Sequence, residues 1–288
     1  MRPATCRMLR HWPGATHRSV ARPSQLTMMD DHELETRIRS TFGVLDHWLT
    51  SMRHAFIPNV GSALHEDDQD WPPLPVSQLA HVGLAVATDH LDAIRCHLNS
   101  KHLFALTDLT ICRSALVGAS QAVWILAPAD RNERLERARM LAADALRYHG
   151  QYMEALKAAS PDDPTVPLVE AHIAMRSAEL KAKRLEAGAL VRHENTRMIR
   201  EAATAIFSPE LAAEASLEWQ SGSGAAHGFA WPILNSPNTK RVGAADDTGL
   251  AEFQASASLG RIANGYLAAF HMARAGWSLL EALNYAGE

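Results

Sequence analysis

The chain has 288 residues, 47% of them hydrophobic, with 28 Lys and Arg against 32 Asp and Glu for a net charge of −4. That length builds one large domain or two small ones around a substantial core, and without a basic excess it carries no electrostatic footprint for a nucleic-acid partner. Three widely spaced cysteines, Cys6, Cys96 and Cys112, form no CxxC pair and read as reduced thiols in a cytosol, Cys96 and Cys112 as small buried hydrophobes.

Residues 1–27 contain Arg2, Arg7, Arg10, Arg18 and Arg22 and no acid, a composition shared with organellar transit peptides. Met28 and Met29 stand directly before the acidic start of the first helical pattern, so the segment reads instead as a disordered tail or as lying upstream of the true start. Residues 28–288 are then expected to form a single helical domain. No run of 18 or more apolar residues occurs, because the stretch Leu103 to Pro128 is interrupted by Asp108, Arg113 and Gln121, and no membrane span is predicted.

Strand signals are almost absent and helix-period apolar patterns recur, which predicts an all-α bundle of seven or eight helices. The first helix is expected from about 30 to 56, capped by Asp30 or Asp31, with Leu34, Ile38, Phe42, Leu45 and Leu49 inside. After the acidic run Glu66 to Asp70 and the prolines of 71–75, a second helix runs from Pro75 to Asn99 with Leu79, Val82, Val86, Leu91 and Leu98 as core. A strongly apolar third helix, about 103 to 127, should be central. Asp130 caps a fourth through Ala159, whose outer face carries Arg131, Arg134, Glu136, Arg137 and Arg139 as a solvated stripe. Helices follow at about 166–187 and 192–206, then one opened by Ser208 as cap and Pro209 in its first turn. Residues 235–249 form the clearest loop. The last helix, about 250 to 285, sets Leu259, Ile262, Tyr266, Phe270, Ala273, Trp277 and Leu280 at steps of three and four.

The segment Trp219 to Trp231 is the most distinctive. If it is helical, Gln220, Ser223, His227 and Trp231 share one face. Gly222, Gly224 and Gly228 each disfavour a helix interior by about 1 kcal/mol, but with Ala226 they form small-residue pairs that let a neighbouring helix approach closely. Ser223 is a poor nucleophile candidate: the Gly-x-Ser-x-Gly elbow fails, since positions 221 and 225 are Ser and Ala, and Glu218 falls on the opposite side from His227. The expected role is a polar face that packs or binds. Arg113 in the apolar third helix needs a partner if buried, and Arg261, Asn264 and His271 on the last helix are placed to meet the Ser223/His227 face in a polar network.

Metal and nucleotide chemistry lack their patterns. His193-Glu194 is followed at the right distance by Arg197, so there is no His-Glu-x-x-His, and Glu-x-x-His is also missing despite 15 histidines. Ser221-Gly-Ser-Gly224 lacks the Lys and the preceding strand of a phosphate-binding loop. No metal and no cofactor are predicted.

The pattern Trp219-x3-Ser223-x2-Ala226-His227-Gly228-x2-Trp231, with Arg113-Ser-Ala-Leu116 and Trp124-Ile-Leu-x-Pro128-x-Asp130-Arg131-x2-Arg134, resembles a group of all-helical actinobacterial proteins. In that group an Arg-Ser/Ala-Ala-Leu-Glu helix leads into a Trp-Leu-x-x-Pro stop, and a later helix carries Ser-x-x-Ala-His-Gly. Val117 stands here in place of the Glu. The resemblance spans about residues 30 to 285 and implies a helical fold, with no established activity. A more distant likeness is to the HEPN helical ribonucleases, whose Arg-x(4–6)-His signature is matched by Arg95-x6-His102, although Cys96 replaces the usual polar residue.

The expected function is that of a soluble, cytosolic helical protein that binds a small molecule or a protein, a second copy included. Gln220, Ser223, His227, Trp231, Arg113, Arg261, Asn264 and His271 are the candidate binding residues. A metal-independent HEPN-like ribonuclease using Arg95 and His102 is the alternative.

Overall fold

The computed structural model describes the backbone of residues 4–9 and residues 29–188, 191–234, 236 and 238–286. It is all-α, as expected. Four helices precede the centre: α1 (Asp31–Arg39), α2 (Phe42–Ser51), α3 (Ala63–Asp68) and α4 (Val76–Asn99). The central α5 (Thr107–Leu126) is followed by α6 (Arg131–Ala159), α7 (Thr165–Glu186), α8 (Asn195–Ile206), α9 (Pro209–Ala226), the single turn α10 (Trp231–Leu234) and α11 (Leu259–Leu283).

The caps act where the sequence places them. Asp30 accepts from the Glu33 N–H while Glu33 returns a bond to the Asp30 N–H, a reciprocal capping box. Asp130 caps α6 and Ser208 caps α9, with Pro209 in its first turn. The expected first helix is interrupted at Ser40 and Thr41. Thr41 Oγ1 bonds the Ile38 carbonyl at 2.6 Å and the Tyr266 hydroxyl at 2.7 Å, so its side chain competes with the helical ladder and ties the break to α11. Burial pushes the Tyr266 phenol up to about 12.

Helix α5 packs against α4, α6, α8, α9 and α11. Ala115, Ala119, Ala122, Val123 and Ile125 are wholly buried, and the main core cluster runs from Leu34 to Leu280. α5 is long and apolar enough to cross a membrane, but 67% of its apolar window is buried among the other helices. The α4–α5 crossing is unusually close. A methyl added at Gly83 would lie 2.6 Å from the Gly118 carbonyl oxygen, so only the paired glycines allow this approach. That contact rotates α4, burying Ala80, Leu84, Ala87, Leu91 and Ile94. Val82 and Val86, expected in the core, are instead 55% and 38% exposed.

Helices α6 and α7 pack against each other as a hairpin. At 1.5 Å per residue the 29-residue α6 spans about 43 Å, and beyond the bundle the two helices hold together through Met153, Val166 and Ile173.

Among the described residues, three short strands lie inside stretches expected as tail, loop and helix. β3 (Leu250–Ala255) lies inside the stretch expected to begin the last helix, and β2 (Thr239–Val242) lies inside the expected loop. β1 (Ala4–Leu9) lies inside the expected tail; residues 1–3 and 10–28 of that tail fall outside the described residues. Both flanking strands pair antiparallel with β3, Ala4 opposite Ala255 and Thr239 opposite the same residue. The physical reason is a period of two: Ala251, Phe253 and Ala255 are buried while Glu252 and Gln254 face out. Leu234 packs with Ala251 and Phe253 under the sheet.

Candidate functional site

The Trp219–Trp231 segment does not form one helical face. α9 stops at Ala226, where Phe229 N–H bonds the Gly224 carbonyl at 2.9 Å and Gly228 N–H the Ala225 carbonyl at 3.1 Å, with Gly228 at φ +72°. A left-handed glycine closing the last carbonyls is a helix-ending motif. His227 therefore caps the helix in solvent, its ring 5.9 Å from Phe229, and Gln220 is exposed as well. Ser223 is half-buried, and the Trp231 indole packs against Gly224 from α10. The shared face expected for Gln220, Ser223, His227 and Trp231 is thus broken by the turn at Gly228. The close helix approach is present: a methyl at Gly222 would meet Arg113 Cβ at 2.6 Å across the α5–α9 crossing. Arg113 is half-buried, with its Nε buried and unpartnered.

A polar network does join α9 to α11, one turn earlier. Arg261 lies 3.5 Å from Glu218 Oε2 and donates to Ser221 Oγ, and Asn264 also hydrogen-bonds Glu218. Burial raises the Glu218 carboxyl above its usual range, against the opposing pull of Arg261. Burial, with the Asp108 and Glu218 charges, also drives the neighbouring Cys112 thiol far up, which leaves it inert. Arg261 and Asn264 therefore meet Glu218 and Ser221 rather than the expected Ser223/His227 face. His271 lies elsewhere, half-buried beside Phe270; burial and the nearby Arg274 and Arg37 lower its pKa.

The two HEPN-like residues have separate partners. Arg95 forms ion pairs with Asp46 and Asp92 and stands over Phe42, while His102 packs on Phe104 at 4.6 Å. His97 instead bonds the fully buried Asp108, whose second oxygen takes the Phe104 N–H.

The Arg131–Arg139 stripe is not simply solvated. Asp67 on α3, wholly buried, accepts from Arg134 Nε at 2.7 Å and Arg131 Nε at 3.0 Å, and Arg134 also donates to the Pro128 and Ala129 carbonyls. Against the cost of its burial, bonds from Arg139 and Lys183 hold Asp70 below the usual carboxylate range. The acidic run therefore clamps α3 to the α6–α7 hairpin.

A groove of about 490 Å³ opens where α4 and α6 diverge. Gln78, Leu79 and Val82 line it from α4, Gln121 from α5, and Leu141, Asp144, Ala145, Arg147 and Tyr148 from α6. His193 and Asn195 enter from the start of α8, and Leu74 from the segment before α4. Gln121 donates to the Leu79 carbonyl at 2.8 Å, and Gln78 to that of Phe56 at 2.8 Å. Asp144 organises the polar side: one oxygen lies 2.9 Å from His193 Nδ1, and the other accepts from Arg147 at 3.0 and 3.2 Å. The Arg147 guanidinium lies 3.9 Å from the centre of the Tyr148 ring.

Asp144, Arg147, Tyr148 and His193 are the titratable groups of the lining. His193 has Nδ1 on Asp144, and its Nε2 is turned to the Met198 thioether at 3.3 Å. An apolar slot with a few convergent polar groups is the usual form of a small-molecule site, typically about 300 to 1,000 Å³. None of the residues expected to bind lines it. No local pattern marks its residues as a set; Val82, exposed beside the buried stripe of α4, is the one apolar hint. No protein-family model, curated protein or solved structure matches this chain.

Proposed function

We propose that this chain is a binding protein whose ligand is a small amphipathic molecule seated in the α4–α6 groove. One observation carries the reading. Val82 exposes an apolar side chain at a groove whose opposite side is an ordered Asp144–His193–Arg147 array, so apolar and polar surfaces are presented together. A cytosolic location and kinship with the helical actinobacterial group belong to the same proposal. The kinship rests on the sequence motifs alone, from Trp124 to Pro128 and from Ser223 to Gly228.

The test is a thermal-shift screen run in parallel on the native chain and on Val82→Trp, whose large side chain fills the groove from an exposed position. A ligand at about 100 times its Kd stabilises by about 2.7 kcal/mol, and the variant should lose that shift while keeping its own melting temperature. Compounds that stabilise both proteins equally would place binding elsewhere and overturn the reading.

A further inference from the structure

We infer that the groove selects an amphipathic organic acid, its apolar body lying along Val82, Leu79 and Leu141 and its carboxylate meeting Arg147. This rests on the reading of the groove as a ligand site. Three features set the sign of the head group. The lining contains one carboxylate, Asp144, and it is already engaged on both oxygens, by Arg147 on one and His193 on the other. A cationic ligand would have to displace one of those bonds to reach it.

The second feature is Arg147 itself. It shares Asp144 with His193, keeps 42% of its side chain open to solvent, and is held against Tyr148 rather than swinging freely. An ordered, partly solvated guanidinium loses little conformational entropy when it takes a carboxylate. The third feature is α8, a twelve-residue helix that begins at Asn195 on the groove wall, two residues after His193. Its cap position, Glu194, makes no side-chain bond to the first turn, which leaves the first-turn N–H groups uncapped by a side chain on the groove wall. Glu194 is exposed and does not line the groove, so its charge is screened by solvent and Asp144 stays the one carboxylate in the lining.

Three probes with one apolar body separate the claims: 4-phenylbutyrate, 4-phenylbutanol and 4-phenylbutylamine, titrated calorimetrically into the full chain. The acid should bind about tenfold more tightly than the alcohol, with the amine weakest. Arg147→Gln should bring the acid down to the level of the alcohol, and Arg147→Lys should restore part of the preference. Circular dichroism checks that each variant is folded. Equal binding of acid and alcohol, with both lost in Val82→Trp, would overturn the acid assignment and leave the groove reading intact. Tightest binding by the amine would also overturn it. If no probe binds the native chain, or if Val82→Trp binds all three as before, both claims fall.

Discussion

The α9–α11 interface and the α4–α6 groove each gather charged and amide side chains around one carboxylate, yet they are built for different ends. Around Glu218 the helices close fully, because Gly222 lets α9 settle onto Arg113 and Gly265 lets α11 settle onto Cys112, a methyl there lying 3.2 Å from Cys112 Cβ. Around Asp144 the helices diverge, and the space between them stays open with Val82 facing it. A satisfied polar cluster inside a closed crossing fixes how helices meet. The same chemistry beside an open apolar slot is free to receive a ligand. Small residues at one crossing and large ones at the other make the difference.

Substitutions can break or sharpen that contrast. The largest effect is expected at Arg261. Arg261→Ala leaves Glu218 buried without its cation and should cost about 2 to 4 kcal/mol in chemical denaturation. An unchanged midpoint would mean the cluster does not secure the interface. Gly222→Val pushes a side chain into Arg113 and the Leu109 carbonyl, and a loss of about 1 to 3 kcal/mol should follow. A full retention of stability there would show that α9 has room to move.

The pH dependence is smaller and has a definite sign. Because the folded state raises the Glu218 pKa above its reference of 4.5, the protonated form is favoured on folding. That contribution is complete below 4.5 and is lost as pH rises through the folded value. Glu218→Gln, which cannot ionise, should therefore gain stability relative to the native chain over that rise. A difference in melting temperature that stays flat with pH would contradict the placement of this carboxyl in a dry environment. Smallest of all, His227→Ala should shift stability by less than about 0.5 kcal/mol, since the ring is solvent-exposed.

Local chemistry was legible in the sequence, and pairing across the chain was not. Pro75, Asp130 and Ser208–Pro209 announce helix starts by mechanisms confined to a few residues, and each helix begins there. Gly222 announces a close crossing for the same reason. The break at Thr41 depends on Tyr266, and Asp67 finds Arg134 from 67 residues away, so neither signal is visible along the chain. Residues 250–255 carry the alternation of a strand, but the helical repeat that starts at Leu259 masks it. The rotation of α4 is set by Gly83 meeting Gly118, and that rotation moves Val82 from the core to the groove. The groove residues come from four helices and the segments between them, with nothing local to mark them as a set.

Methyl NMR during titration with 4-phenylbutyrate tests the central claim most directly. Binding in the groove predicts progressive shifts at the methyls of Val82, Leu79 and Leu141, with Leu217 on α9 and Ile233 on α10 unmoved. Shifts that centre on Leu217 and Ile233 while Val82 stays still would return the site to the Ser223/His227 region and contradict the account.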